Sequence, residues 1–394
     1  MKRTPLDHNE RPLAGTIKSN IGSQTTGIVL SGGGTRAAYQ AGALRALLPH
    51  FERSPETINI IVGSSIGAIN GLVLGAALKK GYTNAVSVLY DLWHERRYEN
   101  TFAGSKALSL FRAMKVAIYQ FIAPGPHASQ QAVFDPTPLI NRIDAVIQDY
   151  GGLQPDQRAP FLQAIAVMTT IEGEQRKPLL LISSHKQLQP ELVQGATFEA
   201  LYLDNLSARH GLASAALPAV LPPVEFEAGG KKITLVDGGI AQNVPIDPCV
   251  RFGAAQVISI DVSGRNWWLE RYGKEQDSKP SWEIPADLKT FCLRPPLTFS
   301  VVVRKSLGTI LKQAAGNGKH LRKILGALWP AFTILKNRVG EEIAYEIASY
   351  GAVDPDYIHA LVETGYNDTL KLLRDQTRVE FSASHSFDEW AKSL

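Results

Sequence analysis

The sequence contains very little cysteine. Cys249 and Cys292 are the only two among 394 residues, which is too few for a disulfide framework or a metal cluster. No zinc pattern of cysteine and histidine occurs either. The scarcity of cysteine indicates a reducing compartment, and we expect a cytoplasmic location.

Long apolar runs are also missing. Residues 1–25 are polar and contain no apolar core of a secretory signal, so we expect a loosely held N-terminal tail. The longest apolar stretch, around Ile66 to Leu78, is too short to span a bilayer. The composition, 44% hydrophobic and 20% charged, is typical of a globular protein with one large α/β core and an appended subdomain.

Two strand-turn-helix patterns follow one another in residues 27–78. The first reads GIVLSGGGTRAAYQAGAL and the second INIIVGSSIGAINGLVLGAAL. The second turn fits the G-x-S-x-G pattern of a nucleophile elbow, in which a serine stands on a sharp turn between a strand and a helix. Gly63 and Gly67 carry no Cβ that would collide with the neighbouring backbone. Ser65 is therefore the predicted nucleophile.

The first turn predicts an oxyanion-binding loop. Gly32, Gly33 and Gly34 separate a strand from a helix, which leaves backbone N–H groups free to face an anion. Arg36 lies in the first helical turn, where a cation opposes the helix dipole, so it braces the loop or meets a phosphate, unless it is an ordinary solvated arginine. The string GGGTRA also fits a degenerate dinucleotide fingerprint, but the second strand lacks the acidic residue that such a site needs.

A candidate base follows a later strand. Residues Lys232 to Val236 predict a strand that ends in Asp237, Gly238 and Gly239. A carboxylate at a strand end, with two glycines that let another backbone approach, is typical of a functional site. Taken alone, the Asp-Gly pair would fit a surface hairpin better.

The identity of the base stays open at this point. An aspartate with a pKa near 4 is a poor base for a serine hydroxyl, although partial desolvation of Asp237 would raise that pKa. His185 and His210 lie between the two candidate segments and are alternative members of a triad.

Several motifs together resemble the patatin-like phospholipases. They are LSGGGTRAAYQAGAL, GSSIG, FDPTPLI, AIAVMTT, ASAALPAVLPPV and DGGIAQNVPI, in the order and approximate spacing of that family across residues 26–264. The resemblance implies a three-layer α/β fold with a mainly parallel central sheet. The chain departs from plant members at Ser31, where they carry an acidic residue, and at Ala37, where many relatives carry glycine.

The resemblance also implies a serine hydrolase with a Ser-Asp dyad. Ser65 is then the nucleophile, Asp237 the base and Gly32, Gly33 and Gly34 the oxyanion hole, supported by Arg36, Gly63, Gly67, Gly238 and Gly239. The expected reaction cleaves fatty-acyl esters of phospholipids or lysophospholipids through an acyl-enzyme, without a metal or organic cofactor. The alternatives are an acyltransferase that uses the same acyl-enzyme and a membrane-binding protein without catalysis.

Acidic residues are absent between Asp287 and Glu341. This stretch contains Trp329, aliphatic runs and ten cations, namely Lys289, Arg294, Arg304, Lys305, Lys312, Lys319, Arg322, Lys323, Lys336 and Arg338. The mixture favours an anionic membrane surface over nucleic acid, and Trp267 and Trp268 could lie at the same boundary. We therefore expect a peripheral position at the inner face of the membrane; the alternative is a solvated helical face.

Four segments follow from these patterns. They are a flexible tail (1–25), a catalytic domain (26–265), a basic helical region (266–340), and C-terminal helices with a tail (341–394). Ser105 to Ile122 predicts a lid, a membrane-facing helix or a helix packed on the core. Glu342 to Ser349 and Pro355 to Arg374 predict helices that pack on the sheet, the second capped by Asp354. The oligomeric state stays open.

Overall fold

The computed structural model describes residues 25–53, 56–109, 111–113, 132–173, 176–186, 196, 198–228, 230–263, 297–302, 306–316 and 318–376. Several sequence predictions lie outside these residues. They concern most of the N-terminal tail, Trp267 and Trp268, the end of the predicted helix at 114–122, and the tail from Ser382.

The fold is built on a sheet of nine strands within the described ranges. The strands are β1 (Thr26–Leu30), β2 (Ile58–Ser64), β3 (Ala164–Ile171), β4 (Pro178–Ser184), β5 (Glu199–Tyr202), β6 (Val224–Ala228), β7 (Lys231–Asp237), β8 (Gln256–Asp261) and β9 (Leu297–Val302). They lie in the order β5-β4-β3-β2-β1-β8-β9, while β7 pairs with both β3 and β6. The pairs β3–β4, β3–β7 and β6–β7 are antiparallel, and the other pairs are parallel.

Helices connect and cover these strands. They are α1 (Ala38–Glu52), α2 (Ile66–Ala77), α3 (Tyr82–His94), α4 (Tyr98–Thr101), α5 (Thr137–Asp149), α6 (Ala208–Ala215), α7 (Ile246–Arg251), α8 (Leu307–Ala314), α9 (Leu321–Leu325), α10 (Trp329–Val339), α11 (Glu341–Ala348) and α12 (Pro355–Gln376). Residues 106–109 and 111–113 are also helical, which agrees with the start of the helix predicted after Ser105.

Alternating side chains of the central strands face two separate hydrophobic cores. In β1, Ile28 and Leu30 face one core and Val29 faces the other, as the two-residue period of a strand requires. Helices α1, α2, α3, α5 and α12 contribute to the first core, and α7 covers the second. The architecture is helix, sheet, helix around a mainly parallel sheet, which confirms the fold class predicted from the sequence.

The C-terminal helices pack against the helical layer on one face of the sheet. Helix α12 approaches α1 so closely that a Cβ on Gly42 would lie 1.9 Å from the carbonyl oxygen of Val362, and one on Gly365 would lie 2.1 Å from that of Tyr39. Asp354 caps α12 by accepting backbone N–H groups of its first turn. The two helices predicted after Glu341 are present, with bounds within two residues of the prediction. The expected packing on the sheet is not what the structure shows for α12, because α12 lies mainly against α1.

One part of the basic region differs from the helical prediction. Residues Leu297–Val302 form β9, a parallel strand beside β8. Their sequence, LTFSVV, is rich in β-branched and aromatic residues, which favour strands. Helices α8, α9 and α10 follow, as predicted. None of the helices described is both long enough and apolar enough to cross a membrane.

Candidate active site

Ser65 occupies a strained turn between β2 and α2. Its backbone has φ 52° and ψ −133°, a conformation that a residue with a side chain rarely adopts outside functional sites. A Cβ on Gly63 would lie 2.5 Å from Ala68 Cα, and one on Gly67 would lie 2.4 Å from Ser31 O. The turn is therefore too tight for side chains at either glycine, as the geometry of a nucleophile elbow requires.

The sheet brings Asp237 to the same place. One edge of β3 pairs with β2 as far as Met168, which lies opposite Ser64. From Thr169 onward this edge pairs with β7 instead, and Asp237 lies opposite Thr169. Strand β7 thus begins its pairing where β2 ends, so its last residue meets the turn that follows β2. A Cβ on Gly238 would lie 2.1 Å from Met168 O, so only glycine permits this approach.

The two side chains form a direct hydrogen bond. Ser65 Oγ donates to Asp237 Oδ2 at 2.6 Å, and Gly239 N donates to Asp237 Oδ1 at 2.7 Å. Burial raises the pKa of Asp237 to about 6, although the hydrogen bonds from Ser65 and Gly239 act in the opposite direction. The carboxylate is therefore still ionised at neutral pH, and it is more basic than an exposed aspartate.

Neither candidate histidine lies at this pair. His185 follows the last residue of β4, Ser184, which pairs with Ala164 at the start of β3. Asp237 pairs with Thr169 near the other end of β3, so His185 lies away from it. His210 caps its own helix, because its Nδ1 accepts the N–H of Ser207 at 3.0 Å. Burial lowers the pKa of His210 to about 4. Of the three candidate bases, Asp237 is thus the one that contacts Ser65.

The glycine loop lies against the nucleophile. A Cβ on Gly32 would lie 2.8 Å from Ser65 Cβ. The N–H of Gly32 is engaged, since it donates to Asn243 O at 3.2 Å, and this narrows the predicted set of oxyanion donors. Among the described residues, no acceptor lies against the N–H of Gly33 or Gly34. These two groups are the donors that the loop leaves free for an anion.

Arg36 braces the loop and is not solvated. It is 1% exposed, and its guanidinium donates to Ser349 Oγ at 2.7 Å, to Ser263 O at 2.9 Å and to Glu346 Oε1 at 2.9 Å. All three guanidinium nitrogens are thus occupied by protein acceptors. This excludes the solvated alternative and leaves no nitrogen directed at a substrate phosphate.

Sequence reasoning missed two polar residues at the site. Ser214 accepts the backbone N–H of Ser65 at 2.8 Å, and Asn243 donates its Nδ2 to Gly32 O at 3.3 Å. Both lie within motifs that carry the family resemblance, but their partners are distant in sequence. The only available signal was their occurrence in those motifs.

The two positions at which the sequence departs from other members of the family, Ser31 and Ala37, have local roles. Ser31 Oγ accepts the N–H of Val262 at 2.8 Å, so the serine ties β1 to the end of β8. Ala37 is fully buried at the start of α1. Within the described ranges, no group of three His, Cys, Asp or Glu side chains could hold a metal ion. The arrangement at Ser65 is thus a hydroxyl, a carboxylate and free backbone donors, which is a set suited to acyl transfer.

No protein of curated function matches the chain significantly. The solved structures that match include the human GIVD cytosolic phospholipase A2, with 10% identity and a TM-score of 0.38, covering 90% of this chain and 63% of that one. VipD from Legionella pneumophila matches with 13% identity and a TM-score of 0.35, covering 90% and 67%. The ExoU-SpcU complex from Pseudomonas aeruginosa matches with 14% identity and a TM-score of 0.27, covering 90% and 60%.

The family itself is identified by a match to a sequence-family model. A family model described as patatin-like phospholipase matches residues 28–250, which span the glycine loop, Ser65 and Asp237. These residues make up more than half of the 394. The chain therefore belongs to the patatin-like phospholipase family.

Proposed function

We propose that the chain is a lipid acyl hydrolase that cleaves fatty-acyl esters of phospholipids or lysophospholipids through a covalent acyl-enzyme. Family membership supports lipid hydrolysis in general. The single observation that carries the proposal is the 2.6 Å hydrogen bond from Ser65 Oγ to Asp237 Oδ2 at a strained elbow. A serine whose hydroxyl points at a buried carboxylate is an activated nucleophile.

The proposed reaction has two halves. Ser65 Oγ attacks the ester carbonyl carbon while Asp237 accepts its proton, and the N–H groups of Gly33 and Gly34 stabilise the resulting oxyanion. The tetrahedral intermediate collapses, the proton passes from Asp237 to the leaving alcohol, and an acyl-enzyme remains. Water then loses a proton to Asp237, attacks the acyl carbonyl and releases the fatty acid, after which Ser65 regains its proton.

A matched set of serine variants tests this assignment. Ser64 is the control for Ser65, because Ser64 Oγ is buried and has no hydrogen-bond partner among the described residues. We expect a fluorophosphonate probe to label the wild type and Ser64→Ala but not Ser65→Ala. Fatty-acid release from lysophospholipid micelles should fall by orders of magnitude in Ser65→Ala and Asp237→Asn, and the two losses should not add. Labelling of Ser65→Ala would overturn the proposal.

The same assay separates hydrolysis from acyl transfer. An added alcohol or lysolipid competes with water for the acyl-enzyme only if it can reach the acyl group on Ser65. If the acceptor suppresses fatty-acid release while the ester is still consumed, the chain is an acyltransferase. If neither labelling nor ester consumption occurs in the wild type, the non-catalytic alternative holds.

We also propose that an anionic bilayer is the partner surface, with the enzyme peripheral at the inner face of the membrane. The supporting feature is a patch formed by Lys106, Leu108, Phe111, Arg322 and Lys323, here called the basic patch. Lys106 Nζ donates to Lys323 O, and this hydrogen bond joins the segment of Lys106 to helix α9. Leu108 and Phe111 are 41% and 62% exposed, and Arg322 and Lys323 are exposed. Cations beside exposed apolar side chains suit an anionic lipid interface.

Other parts of the basic region contribute less to this surface. Lys312 and Lys336 both pair with Glu341, at 3.0 Å and 3.1 Å, so this one carboxylate offsets part of their combined charge. Trp329 stacks on buried Phe332, with ring centroids 5.7 Å apart. Trp329 is half-buried in this contact, so Leu108 and Phe111 are the apolar side chains proposed to insert into the bilayer.

A further inference from the structure

The glycine loop contacts the residues that follow helix α11. These residues lie outside the segment 28–250 that the family model matches. The N–H of Thr35 donates to Tyr350 O at 2.8 Å. The guanidinium of Arg36 lies 3.6 Å from the centre of the Tyr350 ring. Gly34 has φ +57°, and a Cβ there would lie 2.2 Å from Tyr350 O. The loop therefore rests directly on the backbone that follows α11.

Glu346 is the charged centre of this contact. Its side chain is buried, at 8% exposure. Oε1 accepts from Arg36 Nη2 at 2.9 Å, and Oε2 accepts from Ser306 Oγ and Gly308 N, both at 2.8 Å. One carboxylate thus joins the glycine loop to the N-terminus of α8 and to its own helix, α11.

The energetics make this carboxylate decisive for the loop. Glu346 is the one carboxylate that pairs with Arg36 in the part of the chain that the structure describes. A buried guanidinium that loses its carboxylate partner keeps an uncompensated charge, and breaking such a pair is strongly unfavourable. Arg36 cannot turn to solvent without withdrawing from Ser349 and Ser263 as well. The route that relieves the charge is movement of the loop. Such movement displaces the N–H groups of Gly33 and Gly34, and a displacement of about 1 Å can cost about 100-fold in rate.

We propose that Glu346 is a positioning residue: by anchoring Arg36, it fixes the backbone N–H groups of Gly33 and Gly34 where an oxyanion develops. The packing of α8 and α11 is thereby coupled to turnover. This inference rests on the assignment of these N–H groups under the proposed function. It predicts an effect on kcat with little effect on KM, because the contact matters only in the transition state.

The chain contains a matched control pair. Arg251 and Asp247 form a second buried ion pair, with Nε and Oδ1 2.7 Å apart and both side chains at most 1% exposed. Both residues of this pair belong to α7, and the pair does not include Arg36. Glu346→Gln and Asp247→Asn therefore remove the same kind of charge from two buried pairs, of which the first contains Arg36.

The experiment measures kcat and KM on a short-chain ester, together with unfolding by urea, for both variants. We expect Glu346→Gln to lower kcat about 10- to 100-fold with KM within about twofold, while Asp247→Asn loses stability but keeps kcat. In a cycle with Arg36→Met, the two losses in kcat should not add. Equal kcat in Glu346→Gln and Asp247→Asn would overturn the inference and leave Glu346 a structural residue.

Two further arms keep the outcome clear. If Glu346→Gln does not fold, Ser349→Ala removes the acceptor of Arg36 Nε and the donor to Glu346 O, and it leaves the carboxylate of Glu346 in place. It should lower kcat in the same direction, and unchanged kcat there also overturns the inference. Ser65→Ala is assayed alongside. Ester turnover that survives in Ser65→Ala contradicts the proposed function itself, whereas its loss together with normal kcat in Glu346→Gln contradicts only the positioning role.

Discussion

The N–H of Ser65 donates to the hydroxyl of Ser214 at 2.8 Å, and this hydroxyl donates in turn to Met168 O at 2.5 Å. Helix α6 thus supplies a side chain that ties the strained residue to β3. The relay leaves neither the N–H of Ser65 nor the carbonyl of Met168 unpaired in the core. Because an unpaired buried group is costly, Ser214 helps to hold the backbone of Ser65 at its unfavourable φ.

Ser214→Ala should therefore weaken both stability and turnover. Loss of the hydroxyl leaves the buried Ser65 N–H without an acceptor, which should lower the free energy of unfolding by about 1–3 kcal/mol. We expect kcat on a short-chain ester to fall about 10-fold as the elbow relaxes. Urea unfolding and steady-state kinetics measure the two effects, with Ser64→Ala as the buried-serine control. A destabilised variant with normal kcat would show that the relay serves folding alone.

The pH dependence of activity should report the buried carboxylate. Asp237 accepts a proton only when ionised, and burial raises its pKa to about 6. We expect kcat/KM to rise with pH and to level off above about 6. With an exposed aspartate as the base, the rise would instead be centred at about pH 4. The profile is measured with a soluble ester whose own ionisation lies outside the range. A limb near 4 would mean that solvent reaches the carboxylate.

The same carboxyl group should make folding stability depend on pH in a defined direction. The pKa of Asp237 is about 6 in the folded protein and about 4 in the unfolded chain, so the folded state holds the proton more tightly. Protonation of Asp237 therefore contributes to the free energy of unfolding. This contribution is complete below pH about 4 and is lost as the pH rises through about 6. Relative to wild type, Asp237→Asn should gain unfolding free energy across this window, by about 3 kcal/mol. A constant difference between the two proteins from pH 4 to 7 would contradict the shift.

The parts of the site that are local in sequence could be predicted, and the parts made by long-range packing could not. The elbow at Ser65 and the glycine loop each follow from residues a few positions apart. The meeting of Ser65 with Asp237 depends on β7 replacing β2 beside β3, and the sequence supported it only through family resemblance. The partner of Arg36 is 310 positions away, so the chemistry of Arg36 suggested bracing but could not name Glu346.

The basic region shows a second limit of sequence analysis. Its charge pattern was averaged over more than fifty residues, which hid the short apolar segment that forms β9. The helices around it were predicted because helical periodicity and capping are local signals. Strand β9 forms because a parallel partner, β8, is present at the sheet edge, and that edge is a property of the assembled sheet.

Gly34→Ala should damage catalysis through the backbone. A methyl group there would lie 2.2 Å from Tyr350 O at a φ of +57°, so the loop must move away from α11. We expect kcat to fall at least about 100-fold while KM changes little. Gly253→Ala is the control, because Gly253 has φ +92° but nothing within 4 Å of an added Cβ; it should cost about 1 kcal/mol of stability and leave kcat unchanged. Equal changes in kcat and KM for Gly34→Ala would identify a substrate-binding loop instead.

The basic patch should carry salt-sensitive binding to anionic bilayers. Each cation near such a surface contributes about 1 kcal/mol, so the double change Arg322→Gln and Lys323→Gln should weaken binding about 30-fold. The backbone carbonyl of Lys323 that holds Lys106 is retained in this variant. Its control is the double change Lys231→Gln and Lys232→Gln, which removes the same charge from two exposed lysines at the far end of β7 from Asp237.

Sedimentation with phosphatidylcholine vesicles, with and without phosphatidylglycerol, measures this binding at increasing salt. Wild type and the β7 control should bind the anionic vesicles at low salt and dissociate as salt screens the charge, while the Arg322 and Lys323 variant should bind weakly throughout. All three should hydrolyse a soluble short-chain ester equally, because the patch lies outside the Ser65 site. Equal losses in both double variants would mean that net charge, not the patch, drives association. Binding that is unaffected by salt and by either change would leave the patch a solvated face.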